Sequence, residues 1–336
     1  MQHSTWLRSS FASFGIEYEP RVLVHGSLDE AAGIAALGAR RDRLQRLEFV
    51  AVRELHEPIG LLATGTAALE GLAEAAVELV EPMVLLRVPR NSPFLLALRR
   101  VAKRRAIVQV SESLPYSYID FDTDWRDPES RVSRARRSDL RRKRRAAEKL
   151  GSVVIEDVRP TPDELEPLLA EALRIEASGW KGRAGTALAR DERRWHFYRR
   201  YLREASGAGL IRFFFLRVGD RRVAMQIHAE FASRLWQIKV GYDETFRRVS
   251  PGMLLTLEII RVSASEDLEG FEFLGSVEPW TTTWTSTVRE FVTIRLYPLT
   301  IRHRAGARSV ASLTVDAVDV AFRRVRPHMR RALRRA

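Results

Sequence analysis

The sequence predicts an α/β (α+β) protein with a mixed central sheet covered by helices on both faces, preceded by a smaller α/β lobe. Three observations carry this expectation. Between residues 153 and 297 the hydrophobic period alternates between that of strands and that of helices, in the order β-α-α-β-β-β-α-β-β. One strand of that series, Leu210 to Val218, is apolar on both faces through Phe213, Phe214 and Phe215, as a central strand buried on both sides must be. At 336 residues, 45% of them hydrophobic, the chain exceeds one ordinary core and has enough apolar material for two.

In chain order, residues 1–125 form the smaller lobe. Ala67 to Leu79 has helical periodicity, and Met83 to Val88 and Ala106 to Val110 have the length and composition of strands. Nothing in this lobe has catalytic spacing. Residues 126–150 are a connector and a basic helix. The connector, Asp122 to Ser130, is acidic and holds Pro128; the helix ends before Gly151, a residue suited to leaving a helix. Val132, Leu140, Ala147 and Leu150 make a thin apolar stripe, which predicts a surface helix packed along one side.

Residues 151–300 hold the main domain. Val153 to Val158 is a strand, and Asp163 to Ala177 and Asp191 to Ala205 are amphipathic helices separated by a glycine-rich loop over 178–185. After Leu210 to Val218, Gly219-Asp220 turns the chain into Val223 to Phe231, and Ala232-Ser233 turns it again into Arg234 to Tyr242. Pro251 to Ser263 is a helix, Phe271 to Leu274 a short buried strand and Phe291 to Tyr297 the last strand of this domain. Residues 301–336 are a basic C-terminal tail.

The chain has no cysteine, which removes disulfides, thiolate metal sites and an acyl-cysteine intermediate and fits a reducing compartment. The opening residues lack the charged and apolar regions of a signal peptide, and the longest charge-free run, Pro58 to Leu69, has 12 residues. The expectation is a cytoplasmic protein without stable membrane insertion, peripheral at most at the inner face of the membrane. Net charge is +13, concentrated in two places: residues 131–149 hold ten Arg or Lys against two acids, and 322–336 hold seven Arg and no acid. These two patches are the expected contacts for an anionic membrane surface or RNA, while the rest of the chain is near neutral. No aromatic residue is interleaved with the arginines of 131–149, which disfavours base stacking there.

The strongest local signal lies between Arg234–Tyr242 and the helix from Pro251. A strand, a short loop, small residues and an apolar helix are the arrangement in which backbone N–H groups at a helix start hold a pyrophosphate. Val240, Arg247, Arg248, Ser250, Gly252 and Met253 are the residues expected to bind such a group; the alternative is an ordinary helix start with Ser250 as N-cap. The preceding hairpin adds a polar row. With a turn at Ala232-Ser233, Gln226 faces Lys239 and His228 faces Gln237 across an otherwise apolar sheet. His228 as imidazole base, with Gln226, Lys239 and Asp243, is the expected catalytic group; the alternative is a solvated sheet face with satisfied hydrogen bonds. Trp180, Lys181 and Trp280 are expected to line an acceptor pocket, against the alternative of core anchors and a solvated charge. No metal site is expected.

Several stretches together resemble one family. They are Ser138-Asp139-Leu140-Arg141-Arg142-Lys143, the run from Ser178 to Ala187, Gln226, Lys239 to Glu244, Ser250-Pro251-Gly252-Met253-Leu254-Leu255 and Phe271-Glu272-Phe273-Leu274-Gly275. In combination they resemble the BioF2-like, or CelD (BcsL)-type, branch of the GNAT superfamily, relatives of the Fem-type peptidoglycan aminoacyltransferases. Against the acetyltransferase pattern Q/R-x-x-G-x-G/A, Arg247 takes the first position, Ser250 replaces the first glycine and Gly252 takes the second. The resemblance implies acetyl-CoA or another acyl-CoA as co-substrate and direct N-acetyltransferase or acyltransferase chemistry on an amine or hydroxyl acceptor, such as a sugar. It further implies a role in cell-envelope or exopolysaccharide biosynthesis and a degenerate second GNAT unit in residues 1–125. The chain departs from the family at Trp280-Thr281, where a lysine often follows the aromatic residue, at His228, where a small or apolar residue is usual, and in having no tyrosine over 276–290. The competing functions are a tRNA-dependent aminoacyltransferase of Fem type and a non-catalytic basic binding protein.

Overall fold

The computed structural model describes residues 3–179, 191–300 and 306–316. The chain divides into two units, Met1–Ser113 with Phe291–Ala336, and Leu114–Glu290. The first unit opens with α1 (Ser4–Phe14), β1 (Tyr18–Gly26), β2 (Ala31–Arg40) and β3 (Leu47–Phe49). It continues through α2 (Val52–Leu55), β4 (Leu62–Ala63), α3 (Thr66–Glu78), β5 (Met83–Pro89), α4 (Pro93–Val101) and β6 (Ala106–Glu112). The second holds β7 (Tyr116–Asp120), α5 (Pro128–Arg131), α6 (Arg134–Glu148), β8 (Val153–Val158), α7 (Leu165–Ala177) and α8 (Glu192–Gly207). Its remaining elements are β9 (Ile211–Val218), β10 (Arg221–Phe231), β11 (Arg234–Tyr242), α9 (Pro251–Ser265), β12 (Gly270–Glu272) and β13 (Val288–Arg289); the last strand, β14 (Phe291–Pro298), returns to the first unit.

Each unit has its own mixed sheet, and the two sheets repeat one plan. The strand order is β1-β2-β3-β5-β14-β6 in the first and β9-β10-β11-β12-β7-β13, extended by β8 beside β9, in the second. In both, three antiparallel strands lead through a helical crossover to a parallel neighbour: β3 to β5 through α3, and β11 to β12 through α9. A parallel pair requires such a crossover, because a tight turn can only reverse the chain. In both, the next strand belongs by sequence to the other half of the chain. β14 lies between β5 and β6, and β7 pairs with both β12 and β13, all antiparallel. This repetition matches the expectation that the N-terminal lobe has the topology of a second unit.

The strand exchange corrects the boundaries read from the sequence. The breaks fall after Ser113 and after Glu290, not at 125 and 300, and Phe291–Tyr297 completes the N-terminal sheet instead of the main one. Chain order alone places each strand with its sequence neighbours, whereas β7 and β14 find their hydrogen-bond partners in the unit on the other side of a short connector. Of the expected tail, residues 306–316 are helical in the first unit, where Tyr297 Oη donates to Asp316 Oδ2 at 2.7 Å; residues 301–305 and 317–336 lie outside the described residues.

In the second unit the layers follow from side-chain alternation. Phe214 and Leu216 of β9 share a core with Leu254, Leu255, Leu257, Ile259 and Ile260 of α9, so α9 lies on that face. Phe213 and Phe215 point to the opposite face, where α7 packs on β10 and β11 and α8 on β9. Val132, Leu140 and Ala147 join the α9 side of the core, which places the basic helix α6 outside α9. This accounts for α9 being apolar around most of its circumference: it has the sheet on one side and α5–α6 on the other. The expected stripe on α6 is present except for Leu150, which is exposed.

Candidate functional site

At the end of β11 the chain makes a capped 3-10 turn before α9 begins. Buried Asp243 caps that turn: its Oδ1 accepts from the Thr245 N–H at 3.0 Å and the Thr245 hydroxyl at 2.7 Å, and its Oδ2 pairs with Arg221 at 2.9 Å. The turn, Glu244–Val249, presents Arg247 and Arg248 to solvent. Ser250 then adopts φ 50° and ψ 55°, the left-handed conformation that glycine takes without penalty. A serine there keeps the turn that a glycine would make, at some cost in strain. Pro251 opens the helix, as its missing N–H permits, and Met253 and Leu254 donate to the Ser250 carbonyl at 3.0 and 3.2 Å. A Cβ on Gly252 would meet nothing nearer than the Tyr242 ring at 3.6 Å, so the space before this turn is open. From outside, Lys143 of α6 donates to the Arg248 carbonyl at 2.6 Å and Arg144 pairs with Glu258 of α9 at 2.7 Å, fastening the basic helix to the turn.

β12 pairs with β11 only from Arg234↔Gly270 to Trp236↔Glu272, while β11 runs on to Tyr242. Leu274 and Gly275, at φ 53° and 60°, turn the chain away directly afterwards. β11 also carries a bulge. The register is His228↔Gln237 but Ile227↔Lys239, leaving Ile238 as the extra residue. β11 is thus bulged at Ile238, pairs with β12 over three residues and leads through the capped turn into the helix start of α9.

The bulge changes the expected polar row. His228 faces Gln237 as read from the sequence, but Gln226 faces Val240, and Lys239 moves to the other face with Ile227. A constant register counted from the turn misses this, because one inserted residue inverts the faces of everything beyond it. Lys239 lies with its Nζ 4.3 Å from the centre of the Tyr198 ring of α8, and Gly241 packs against Glu176 of α7, where a Cβ would meet the Glu176 Cα at 3.1 Å.

The remainder of the row is interior, not the solvated sheet face of the alternative reading. His228, Gln226 and Gln237 are buried beneath α9 together with Thr256. Gln237 Nε2 donates to Gln226 Oε1 at 2.7 Å, His228 Nε2 lies 3.0 Å from the same oxygen, and Gln226 Nε2 donates to Thr256 Oγ1 at 2.7 Å. An amide oxygen only accepts, so His228 is the Nε2–H tautomer; its Nδ1 has no partner among the described residues. Phe214 and Phe271 stand edge-on to its ring at 5.5 and 5.3 Å. Burial, reinforced by nearby Arg212, holds the imidazole well below its ordinary pKa. An imidazole so enclosed exchanges no proton with a bound acceptor.

It does make stability depend on pH. The native state keeps His228 neutral while the unfolded chain takes up a proton near the ordinary histidine pKa, so stability is full above that point and falls as pH drops below it. Stability should therefore fall between pH 7.5 and 5.5. Urea denaturation at both pH values should show it, and His228→Gln should remove that part of the slope; an unchanged slope in the variant would assign it to other groups.

Among the other expected residues, Trp280 is half-buried, its ring edge-to-face with Phe273 at 5.6 Å just past β12, and Met253 packs at the margin of the α9 core. Trp180 and Lys181 lie outside the described residues. Thr256 and Arg212 were not singled out from the sequence. Thr256 had a signal: it is the one hydroxyl in the apolar run Leu254-Leu255-Thr256-Leu257, four residues after Gly252, the spacing that brings its hydroxyl to the Gly252 carbonyl. Among the described residues no helix is long and apolar enough to cross a membrane, and no cluster of three or more His, Cys, Asp or Glu side chains could hold a metal ion.

Residues 134–282 match the family described as acetyltransferase (GNAT) domain. Among solved structures, FemX aligns over 89% of this chain and 92% of its own with a TM-score of 0.59 and 12% identity. A conserved protein of unknown function from Bacteroides thetaiotaomicron aligns over 88% and 92%, with a TM-score of 0.57 and 16% identity. The C-terminal domain of a protein titled as a lysylphosphatidylglycerol synthetase from Agrobacterium fabrum aligns over 92% and 93%, with a TM-score of 0.53 and 11% identity. At these identities the likeness is one of fold, and it extends over both units. No curated protein matches the chain.

Proposed function

We propose, from the premise that this acyltransferase carries its GNAT domain over residues 134–282, that it transfers an acyl group directly from acyl-CoA to an amine or hydroxyl acceptor. The observation that carries the reading is the helix start of α9, where Ser250 takes a left-handed turn, Pro251 opens the helix and a Cβ on Gly252 would meet nothing nearer than the Tyr242 ring at 3.6 Å. In this reading the first turn of α9, with Gly252 and Met253, and the exposed Arg247 and Arg248 hold the pyrophosphate through backbone N–H groups and charge. In this reading the pantetheine arm runs along β11 near Val240 and brings the thioester toward the bulge.

There the acceptor nitrogen or oxygen attacks the thioester carbonyl. The new bond to the acyl carbon forms, the carbon–sulfur bond breaks, the thiolate leaves with the electron pair, and the acceptor loses its proton to solvent. Positioning of the two reactants is the main source of rate. The chain has no cysteine to form a thioester of its own, in keeping with a single direct step. Lys239, beside Tyr198 on the face under α7 and α8, and Trp280, past the end of β12, are the side chains best placed to border the acceptor. Acceptors in cell-envelope or exopolysaccharide synthesis fit this reading through the family resemblance, and the basic helix α6 would lie on an anionic surface.

The test is calorimetric titration with acetyl-CoA and with CoA at two salt concentrations, with bulk RNA as a competitor. Micromolar binding of both that RNA does not displace is expected. No binding of CoA species, together with salt-sensitive RNA binding, would overturn the donor assignment in favour of a tRNA-borne donor.

A further inference from the structure

We infer that Gln237, Gln226 and Thr256 form a buried linkage that positions the first turn of α9 against the bulge in β11, so that donor affinity depends on side chains that never touch the donor. The inference rests on the reading of that turn as the donor cradle. Its observations are three consecutive contacts. Gln237, adjacent to the bulged Ile238, donates to Gln226 Oε1 at 2.7 Å; Gln226 donates to Thr256 Oγ1 at 2.7 Å; and Thr256 Oγ1 donates to the Gly252 carbonyl at 2.9 Å. His228 Nε2 supplies a second donor to Gln226 Oε1 at 3.0 Å. All four side chains are at most 4% exposed, so water cannot substitute for a lost partner.

The position of this chain gives it more than a stabilising role. One end is the residue at which β11 leaves regular pairing, and the other is the carbonyl of the first glycine of α9. The hydroxyl adds a bond to a carbonyl that lies within the opening turn of the helix, and such i to i−4 bonds bend helices locally. The Gln226 amide is held from three directions: its oxygen accepts from Gln237 and His228, and its nitrogen donates to Thr256. With both groups fixed, Thr256 cannot move away from the sheet without breaking the bond to Gln226, and Gly252 is held through it. These are positioning residues: buried beneath α9, they act on the turn through one another.

Three variants test this. Thr256→Val keeps the shape and removes both hydrogen bonds, Thr256→Ser restores the hydroxyl, and Gln237→Leu cuts the chain at its far end. Hydrogen exchange at the Gly252, Met253 and Leu254 amides should quicken about tenfold in Thr256→Val and return close to wild type in Thr256→Ser. The acetyl-CoA dissociation constant should rise about tenfold in Thr256→Val and two- to threefold in Gln237→Leu, with the donor KM following it and kcat changed less than twofold. If wild type binds acetyl-CoA and a folded Thr256→Val binds it equally well, the linkage is structural only and the inference falls while the donor site stands. If wild type binds no acetyl-CoA, the donor site itself falls, and the inference with it. Should Thr256→Val not fold, Gln237→Leu decides in the same way.

Discussion

Arg212→Met should destabilise the second unit by about 3 kcal/mol. The Arg212 side chain is completely buried and serves three carboxylates: Asp157 through Nε at 3.1 Å and through Nη2, Glu230 through Nη1 at 2.9 Å, and Glu266 through Nη1 at 2.6 Å and Nη2 at 3.1 Å. Its guanidinium also lies 4.8 Å from the centre of the Phe214 ring. Removing one partner from a buried ionic network costs roughly 3–5 kcal/mol, because the groups left behind have lost water and found no replacement. The lower end applies here, since the three carboxylates are 26 to 44% exposed and can partly rehydrate.

Acid should narrow the difference. Burial alone would raise the Glu230 carboxyl, but Arg159 and Arg212 outweigh it and hold the pKa below the ordinary carboxylate range. That stabilisation is present above the pKa of an unfolded glutamate and is lost as pH falls through the lower folded value. Wild type and variant should therefore converge as pH falls through that lower value, where Glu230 no longer needs the cation. Urea denaturation at pH 7 and pH 3.5 measures both. A constant difference across that range would mean that the loss is one of packing and not of charge pairing. Because Glu266 closes the C-terminal end of α9, this network and the bond from Gln226 to Thr256 hold the helix at two points along its length.

How the sequence reads at these places depends on whether the deciding contact is local. The hairpin from Arg221 to Tyr242 was legible because alternation and a two-residue turn are local signals. Ala232 and Ser233 both take positive φ, 51° and 55°, the backbone a type I′ turn requires. The helix start at Pro251 was legible for the same reason. The polar row of Gln226, His228 and Gln237 was also visible, but its burial was not. Whether that face meets solvent or a helix is set by α9, and α9 reads as apolar on most sides because α6, from another part of the chain, covers its back. The inserted Ile238 leaves no trace in composition, yet it moves Lys239 from the face of His228 to that of Tyr198. The exchange of β7 and β14 was hidden for a related reason: each is an ordinary strand locally, and only its hydrogen-bond partners reveal its unit. Non-local pairing is what a linear reading cannot weigh.

Gly252→Glu should abolish donor binding without unfolding the protein, and the two halves of that expectation have separate physical grounds. The fold should tolerate the change, because Gly252 has an ordinary helical backbone and a Cβ there meets only the Tyr242 ring, at 3.6 Å. A carboxylate in the first turn of a helix is favoured by the helix dipole, by about 0.3–1 kcal/mol, so the thermal midpoint should hold or rise slightly. In the proposed reading the same carboxylate would stand where the pyrophosphate lies. Two like charges about 4 Å apart in surroundings of effective dielectric near 20 repel by about 4 kcal/mol, which corresponds to a loss of affinity of roughly 100- to 1000-fold. Gly252→Ala separates charge from bulk: it adds a methyl group to open space and should weaken acetyl-CoA binding by less than about threefold, consistent with the small cost of such a contact. Calorimetric titration of both variants, beside their melting curves, distinguishes the outcomes. A well-folded Gly252→Glu protein that binds acetyl-CoA as wild type does would remove this helix start from the donor site.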